Sequence, residues 1–333
     1  MEDTMDTIKV DMKNLYRLSS LPSCLIELYC GYNQLSQLPA LPDTLRVLNC
    51  PHNRLFRLPP LPALTTLDIT ANHLLHLHPP ETLVRLYCSF NPYLQMGSLP
   101  ETLQELHCCN NIIVQLCLPS RLDILYCSYN RLETLALPPL LKELYCDHNR
   151  LKRLVLPAIL RVLDCVDNQL TALFLPPYVH ELNASHNRLS RLTLNKALVR
   201  LNLSSNPVRR PPRLHPGLTF VNLNHTLIEE GFDFEEPCGL YVYGTPLHTK
   251  IKAVLQSDIR LDPFMIKLAF ERIAMIEGRF RDLYYGCKLK DPLMSWLWRA
   301  RETLAKRKYH PDELLKVLDL GYDALDGWMS DQG

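Results

Sequence analysis

The chain has 333 residues, of which 47% are hydrophobic, with 36 basic and 35 acidic side chains and a net charge of +1. This balance gives no general attraction to nucleic acid or to an anionic membrane. No apolar run approaches the roughly 20 residues that span a bilayer, and residues 1–10 lack the apolar stretch of a signal peptide. We therefore expect a soluble chain with no membrane or nucleic-acid partner.

The segment from 5 to 230 repeats one pattern, LxxLxCxxNxLxxL, every 19 or 20 residues. The asparagines that mark its ten clearest copies are Asn33, Asn53, Asn72, Asn91, Asn111, Asn130, Asn149, Asn168, Asn187 and Asn206. Weaker copies at both ends carry Lys13 and Thr226 in place of asparagine, which brings the number to about twelve. A fixed period of this length predicts a leucine-rich-repeat solenoid with degenerate terminal repeats.

Each copy predicts one short strand near its xLxCx segment, paired in parallel with the next copy about 4.8 Å away. Alternation along the strand should point Leu125 and Cys127 inward and Tyr126 outward. A turn of this length is too short for a helix on the convex side, where Leu-Pro steps such as Leu118-Pro119 predict extended segments. The predicted class is an α/β repeat, a horseshoe with a parallel sheet on its concave face.

The strictest positions of the repeat are predicted to be structural. An asparagine after each strand can bond backbone groups that the bend leaves unpaired. Seven cysteines share one position with Ile69, Ala184 and Leu203, which indicates a slot for a small hydrophobic side chain. Buried free thiols suit a reducing compartment. We therefore expect an intracellular, cytoplasmic protein that does not pass through the endoplasmic reticulum.

Residues 232–333 differ in character from the repeats. Four prolines stand at plausible first positions of helices, at Pro246, Pro263, Pro292 and Pro311, and apolar residues follow at helical spacing. We predict a solenoid over 1–231 and a C-terminal helical domain over 232–333. A solenoid needs its last core covered, so capping is the expected role of this domain. Whether it also binds a partner is left open.

No known catalytic or cofactor pattern is present. The 11 glycines form neither GxGxxG nor GxxxxGK[ST], which argues against a nucleotide cradle. His73, His76 and His78 lack a cysteine or carboxylate at ligand spacing, which argues against a metal site. We expect Cys165 to point into the core and Asp167 to point outward, so they do not form a nucleophile–acid pair. We predict no enzyme, no catalytic residue, no metal, no cofactor and no small-molecule substrate.

The variable outward positions carry the functional prediction. Two columns matter: the strand-end column, four residues before each repeat asparagine, and the pre-asparagine column, immediately before it. The candidate partner-binding residues in these columns are Tyr29, Tyr32, Tyr87, Phe90, His107, Tyr126, Tyr129, Tyr145 and His148. Exposed aromatic residues are enriched in interface hot spots, although tyrosine also favours strands for structural reasons.

We therefore predict a protein partner on the concave face, with the oligomeric state left open. Changing Tyr87, Tyr126 and Tyr145 together to serine should abolish capture of that partner. The same substitution should leave thermal stability nearly intact.

The wording LPxxLxxLxCxxNxLxxL, seen at 118–135 and 137–154, resembles the short bacterial-type leucine-rich repeats. These occur in effectors that pathogenic bacteria inject into host cells and in leucine-rich-repeat proteins of large DNA viruses. The cysteine-rich version, with the tail ARETLAKRKYHPDELL at 300–315, is more similar to the viral group. Some bacterial relatives add a ubiquitin-ligase domain with a catalytic CxD motif, which neither Cys238 nor Cys287 matches.

The resemblance implies a horseshoe without enzymatic activity in its repeats. We expect it to recognise another macromolecule, a host partner, by its concave face. For a viral protein the compartment would be the host cytoplasm or the virion. The alternative is a structural or scaffold component of a viral particle or assembly.

Overall fold

The computed structural model describes residues 6–210, 212–229 and 239–247. Within these residues, thirteen three-residue strands form one parallel sheet and two shorter strands form a second sheet. The strands are β1 (Thr7–Lys9), β2 (Glu27–Tyr29), β3 (Val47–Asn49), β4 (Thr66–Asp68), β5 (His76–Leu77), β6 (Arg85–Tyr87), β7 (Gln95–Met96), β8 (Glu105–His107), β9 (Ile124–Tyr126), β10 (Glu143–Tyr145), β11 (Val162–Asp164), β12 (Glu181–Asn183), β13 (Arg200–Asn202), β14 (Phe220–Asn222) and β15 (Gly239–Tyr241).

The register of the large sheet is constant from coil to coil. In β9 and β10, for example, Leu125 lies opposite Leu144 and Tyr126 lies opposite Tyr145. Every position of the repeat therefore lies beside its own counterpart in the neighbouring coils. This arrangement confirms the predicted parallel-sheet solenoid of about twelve coils.

The core is a stack of leucine layers lined by cysteine. Leu125 and Cys127 have no exposed surface, and the other six cysteines of the repeat position are equally buried. Burial raises the pKa of the Cys127 thiol well above its ordinary value, so this thiol stays protonated at neutral pH. The cysteine position is thus an apolar slot, as predicted, and each fully buried leucine contributes roughly 2 kcal/mol of hydrophobic stabilisation.

The repeat asparagines join neighbouring coils. Asn130 is typical: its Nδ2 donates to the carbonyl oxygen of Cys127 in its own coil and to that of Cys108 in the preceding coil, at 3.0 and 2.9 Å. Its Oδ1 accepts the backbone N–H of Ile113 at 3.0 Å. One buried amide therefore satisfies backbone groups of two coils. The predicted structural role of the asparagines is confirmed.

The solenoid extends past the predicted domain boundary at 231/232. Strand β15 pairs in parallel with β14, so the boundary would separate it from the sheet to which it belongs. Thr245 occupies the asparagine position of this coil, and its hydroxyl donates to the Val242 carbonyl at 2.7 Å. Residues 246 and 247 are helical, as predicted for a helix that begins at Pro246. The remainder of the predicted helical domain lies outside the described residues.

Proline follows the repeat asparagine in two coils, at Pro92 and Pro207, and the coil of Pro92 departs from the regular pattern. In regular coils the residue after the asparagine donates its N–H to the preceding coil, as Arg131 does to the Ile113 carbonyl at 2.9 Å. Pro92 has no N–H to donate. The following segment instead pairs through β7 with β5. A groove of about 1070 Å³ lies there, and the exposed apolar side chains Tyr93 and Val114 contribute to its lining.

Candidate functional site

Four of the predicted residues form one continuous aromatic stack on the exposed side of the sheet. The ring centroids of Tyr87 and His107 are 4.6 Å apart, those of His107 and Tyr126 4.2 Å, and those of Tyr126 and Tyr145 4.2 Å. In-register parallel strands hold equivalent residues about 4.8 Å apart, close to the stacking distance of aromatic rings. Rings at the same position of consecutive coils therefore stack. We call Tyr87, His107, Tyr126 and Tyr145 the aromatic stack.

Carboxylates contact the polar atoms of the side chains in the aromatic stack. Glu105 accepts from the Tyr87 hydroxyl at 3.1 Å and lies 2.8 Å from His107 Nε2. Burial, followed by the charge of Glu105, raises the pKa of Tyr87 to about 12. Burial also lowers the pKa of His107, although Glu105 opposes that shift. His107 is therefore a neutral ring at pH 7, and with its proton on Nε2 it donates to Glu105.

The tyrosines of the aromatic stack are half-buried rather than fully exposed, because each ring covers its neighbours. Tyr126, for example, has His107 on one face and Tyr145 on the other, at 4.2 Å in both cases. Stacked pairs contribute roughly 0.5–1.5 kcal/mol each beyond their buried area. These side chains stabilise the fold as well as shape its surface, so we no longer expect serine substitutions to leave stability intact.

An aspartate stands at each end of the aromatic stack. Asp68 precedes Tyr87 in the strand-end column and Asp164 follows Tyr145. The next position outward is an asparagine in both cases: Asn49 donates to Asp68 at 3.1 Å and Asn183 donates to Asp164 at 3.2 Å. Each aspartate also accepts the backbone N–H two residues further along. The sequence analysis did not select either aspartate.

Negative charge collects around Asp164. Burial, and next the charge of Asp147, raises the pKa of Asp164 to about 7. His148 lies between two further carboxylates, 2.9 Å from Asp147 and 3.7 Å from Asp167. Within the described residues, no lysine or arginine forms an ion pair with any of these three aspartates. The surface beside Tyr145 therefore carries uncompensated acidic groups.

Every residue of the pre-asparagine column has a left-handed backbone conformation. The φ angle is 57° at Phe90, 56° at Tyr129 and 53° at His148, and it is similar in the other coils. This conformation costs an ordinary L-residue roughly 1–2 kcal/mol, whereas glycine and asparagine adopt it readily. The repeat imposes the conformation on each coil, and the sequence still places large rings there in several of them.

The rings of this column are exposed to solvent. Tyr129 is 47% exposed and Phe90 is 41% exposed. Tyr129 stacks on His148 with ring centroids 4.1 Å apart, and Tyr32 stacks on His52 at 4.5 Å. The sequence analysis selected these residues but did not recognise their backbone conformation. Asparagine at 110 and glycine at 244, in the same column, were the available signals.

The nine predicted residues do not form one patch. Tyr29 and Tyr32 lie in the second coil, where Lys9 lies over the Tyr29 ring at 5.2 Å. Asn49 and Asp68 separate Tyr29 from the aromatic stack along the strand-end column. The main candidate site is therefore the group of seven residues between Tyr87 and His148.

Metal binding and membrane insertion are two properties that the sequence does not predict for this chain. In the described part of the chain, no three His, Cys, Asp or Glu side chains are placed to hold a metal ion. Over the same residues, no helix has the length and apolar character needed to cross a membrane.

Comparison with solved structures gives similarity to bacterial leucine-rich-repeat proteins. YopM from Yersinia enterocolitica is 29% identical, over 69% of this chain and 63% of that chain, with a TM-score of 0.54. YopM from Yersinia pestis, described as a leucine-rich effector protein, is 26% identical over 73% and 84% of the two chains, with a TM-score of 0.56. InlJ from Listeria monocytogenes, whose functional domain includes a cysteine ladder, is 22% identical over 68% and 64%, also at 0.56.

These similarities support the leucine-rich-repeat fold and the resemblance to bacterial repeats. A fold of this type is consistent with a non-enzymatic binding module. The chain matches less than two thirds of the length of the Yersinia enterocolitica and Listeria proteins. No protein-family model and no curated protein sequence matches the chain. Similarity to the viral group stays a prediction.

Proposed function

We propose that the chain is a non-enzymatic interaction module that binds a macromolecular partner, a protein, on the exposed, concave face of its parallel sheet. The contact surface is the group between Tyr87 and His148, with Phe90 and Tyr129 as its most exposed rings. The similarity to a leucine-rich effector protein supports this role. Tyrosine and phenylalanine supply large contact areas with few side-chain torsions to immobilise, which favours binding.

The main support for the proposal is the free-energy cost of the left-handed backbone in the pre-asparagine column. Phe90 and Tyr129 hold left-handed backbone conformations that asparagine would adopt at lower free energy. Asn110 occupies the same position in the coil between them, with a φ of 54°. The repeat therefore accepts asparagine there. A large exposed ring at a strained position contributes little to folding, which favours a role in binding.

The experiment replaces Phe90, Tyr129 and His148 together by asparagine in the full chain. We expect the variant to fold with a melting temperature at or near that of the wild type, because asparagine suits the backbone. Tagged wild-type and variant chains are expressed in cells and purified, and co-purifying proteins are quantified by mass spectrometry. A partner of the sheet face should fall at least tenfold in the variant, since hot-spot side chains contribute about 2 kcal/mol or more.

The matched control replaces Phe174 and Tyr178, which are 86% and 62% exposed but lie outside the two columns. This variant removes a similar exposed aromatic area and should retain the partner. Equal recovery of every co-purifying protein from both variants and the wild type would contradict the proposal.

Three further points concern the cell compartment, the C-terminal segment and the viral alternative. We propose an intracellular location because the ten described cysteines are free thiols, which suits a reducing compartment. The capping role predicted for the C-terminal domain concerns mostly residues after 247, which lie outside the described residues, and it stays a prediction. The viral scaffold alternative stays a prediction, and co-sedimentation of the chain with viral particles would test it.

A further inference from the structure

The aromatic stack has an open end at Tyr145. One face of this ring carries Tyr126, with centroids 4.2 Å apart and planes inclined by 4°. In the next coil the strand-end position is Asp164, whose short side chain does not continue the row of rings. No ring or cation of the described residues stacks on the second face of Tyr145. With coils about 4.8 Å apart, the space above Asp164 has the thickness of one planar group.

The charges around this space favour a cation. Asp164 lies at its base, and Asp147 and Asp167 lie in the neighbouring part of the face, with His148 between them. Glu143, in the same strand as Tyr145, accepts the tyrosine hydroxyl at 3.4 Å. The repulsion between Asp147 and Asp164 that raises the pKa of Asp164 would be relieved by a positive group.

The chain uses the same chemistry elsewhere on this face with its own side chains. Lys9 lies 5.2 Å from the ring centroid of Tyr29, and Arg200 lies 5.5 Å from that of Phe220. Both rings belong to the exposed face of the large sheet. At Tyr145 the ring and the acidic groups are present, but no lysine or arginine within residues 6–210, 212–229 and 239–247 lies over the ring.

We propose that the space between Tyr145 and Asp164 binds an arginine side chain of the protein partner, as the fifth planar group of the aromatic stack. This inference rests on the proposed function and names one element of the partner. The guanidinium group is planar and stacks on aromatic rings, and its fork of N–H donors matches a carboxylate. A lysine ammonium is neither flat nor forked, so it fits the same space less well.

The opposite end of the aromatic stack provides an internal comparison. Asp68 and Tyr87 repeat the arrangement in reverse order, and Asn49 bonds Asp68 as Asn183 bonds Asp164. The charge differs, however: the cationic Arg85 acts on Tyr87, whereas the negative charge of Asp147 acts on Asp164. Arginine should therefore bind more tightly at the Asp164 end.

The test measures binding of a fluorescent peptide, acetyl-Gly-Arg-Gly-Arg-Gly amide, to the full chain by fluorescence anisotropy at low and physiological salt. Lysine and glutamine versions of the peptide and free arginine are the comparison ligands. The variants are Asp164→Asn and, as its control, Asp68→Asn. Asparagine occupies the same column in neighbouring coils, so both variants should fold, and thermal unfolding verifies this.

We expect the arginine peptide to bind more tightly than the lysine peptide and the glutamine peptide to bind least. Asp164→Asn should weaken the arginine peptide about tenfold, and Asp68→Asn should weaken it severalfold less. Equal binding to wild type and Asp164→Asn, or equal binding of arginine and lysine peptides, would overturn the inference. Binding of free arginine as tight as that of the peptide would overturn the assignment to a protein partner.

Failure here is distinguishable from failure of the proposed function. A partner that is lost with the three asparagine substitutions at 90, 129 and 148 but retained by Asp164→Asn would leave the interaction face standing. That result would remove only the arginine site.

Discussion

Two columns of side chains lie next to each other on the exposed face of the sheet, and they differ in their relation to the fold. The strand-end column lies on extended backbone, and its four central rings stack on one another and are half-buried. The pre-asparagine column lies on left-handed backbone, and Phe90 and Tyr129 are largely exposed there. Aromatic residues in the first column stabilise the solenoid, whereas those in the second strain it.

The difference shows that the same residue type can have opposite roles within four positions of the chain. Tyr126 and Tyr129 belong to one coil, yet only Tyr126 is held between two rings. Tyr129 has a single stacking neighbour, His148, and its φ of 56° carries the free-energy cost of a left-handed backbone. Substitutions should therefore separate the two columns by their effects on stability.

The largest effect is expected from the strand-end column. Replacing Tyr87, Tyr126 and Tyr145 together by serine removes three stacking contacts and most of the apolar area that the rings bury. We expect the free energy of unfolding to fall by roughly 5 kcal/mol. Chemical denaturation followed by circular dichroism measures this change.

The matched control for that experiment is phenylalanine at the same three positions. Phenylalanine keeps the rings and loses the hydroxyl bonds to Glu105 and Glu143 and the bond between the Tyr126 and Tyr145 hydroxyls. It should retain most of the stability. A serine variant as stable as the phenylalanine variant would show that the aromatic stack does not contribute to the stability of the fold.

The second effect comes from Asp164 and depends on pH. The pKa of this carboxyl is about 7 in the folded chain and about 4 in an unfolded one. Between these values the folded chain holds a proton that the unfolded chain releases, so this contribution to stability is lost as the pH rises from about 4 to about 7. Asp164→Asn cannot titrate there and keeps the bond geometry of the column.

We therefore expect Asp164→Asn to be more stable than the wild type at pH 8, by up to about 4 kcal/mol, and similar to it at pH 4. Melting temperatures across this pH range measure the difference. The groups that face Asp164 are Asp147, His148 and Asn183, and they are unchanged in the variant. A constant difference between the two proteins at all pH values would show that Asp164 does not titrate in this window.

The fold could be predicted from the sequence because each repeat position has one physical task. Leu125 and Cys127 fill the core, and Asn130 bonds two coils, so the pattern alone specifies the parallel sheet. The last coil was missed because Thr245 performs the asparagine's local bond with a different side chain. The two columns could also be located from the period of the repeat.

Their physical difference was not predicted, because an aromatic residue gives no sign of its backbone angle and the signals at Asn110 and Gly244 stand in other coils. Tyr126 and Tyr129 both stand at variable positions of one coil, and the sequence does not show that only position 129 has a left-handed φ angle. The aspartates at 68 and 164 were missed for a different reason. Asp68 and Asp164 matter because they stand at the two ends of the aromatic stack. The stack forms only when several coils are placed side by side, so no single repeat reveals it.

The smallest expected effect concerns Phe90, whose ring has no stacking partner in the described residues. Phe90→Asn exchanges a strained position for one that asparagine accepts, as in the next coil at Asn110. We expect the free energy of unfolding to rise by about 1 kcal/mol. The control Phe56→Asn, at an exposed position outside the left-handed column, should give no such increase. Equal effects would show that the strain at Phe90 is not what asparagine relieves.

The central claim is that the pre-asparagine column contacts the partner. The most direct measurement places the photo-crosslinking residue p-benzoylphenylalanine at position 129 or at position 174 of the full chain, in cells. The account predicts a discrete crosslinked partner from position 129 and none from position 174, which is 86% exposed but outside both columns. A partner crosslinked from 174 and not from 129 would contradict it.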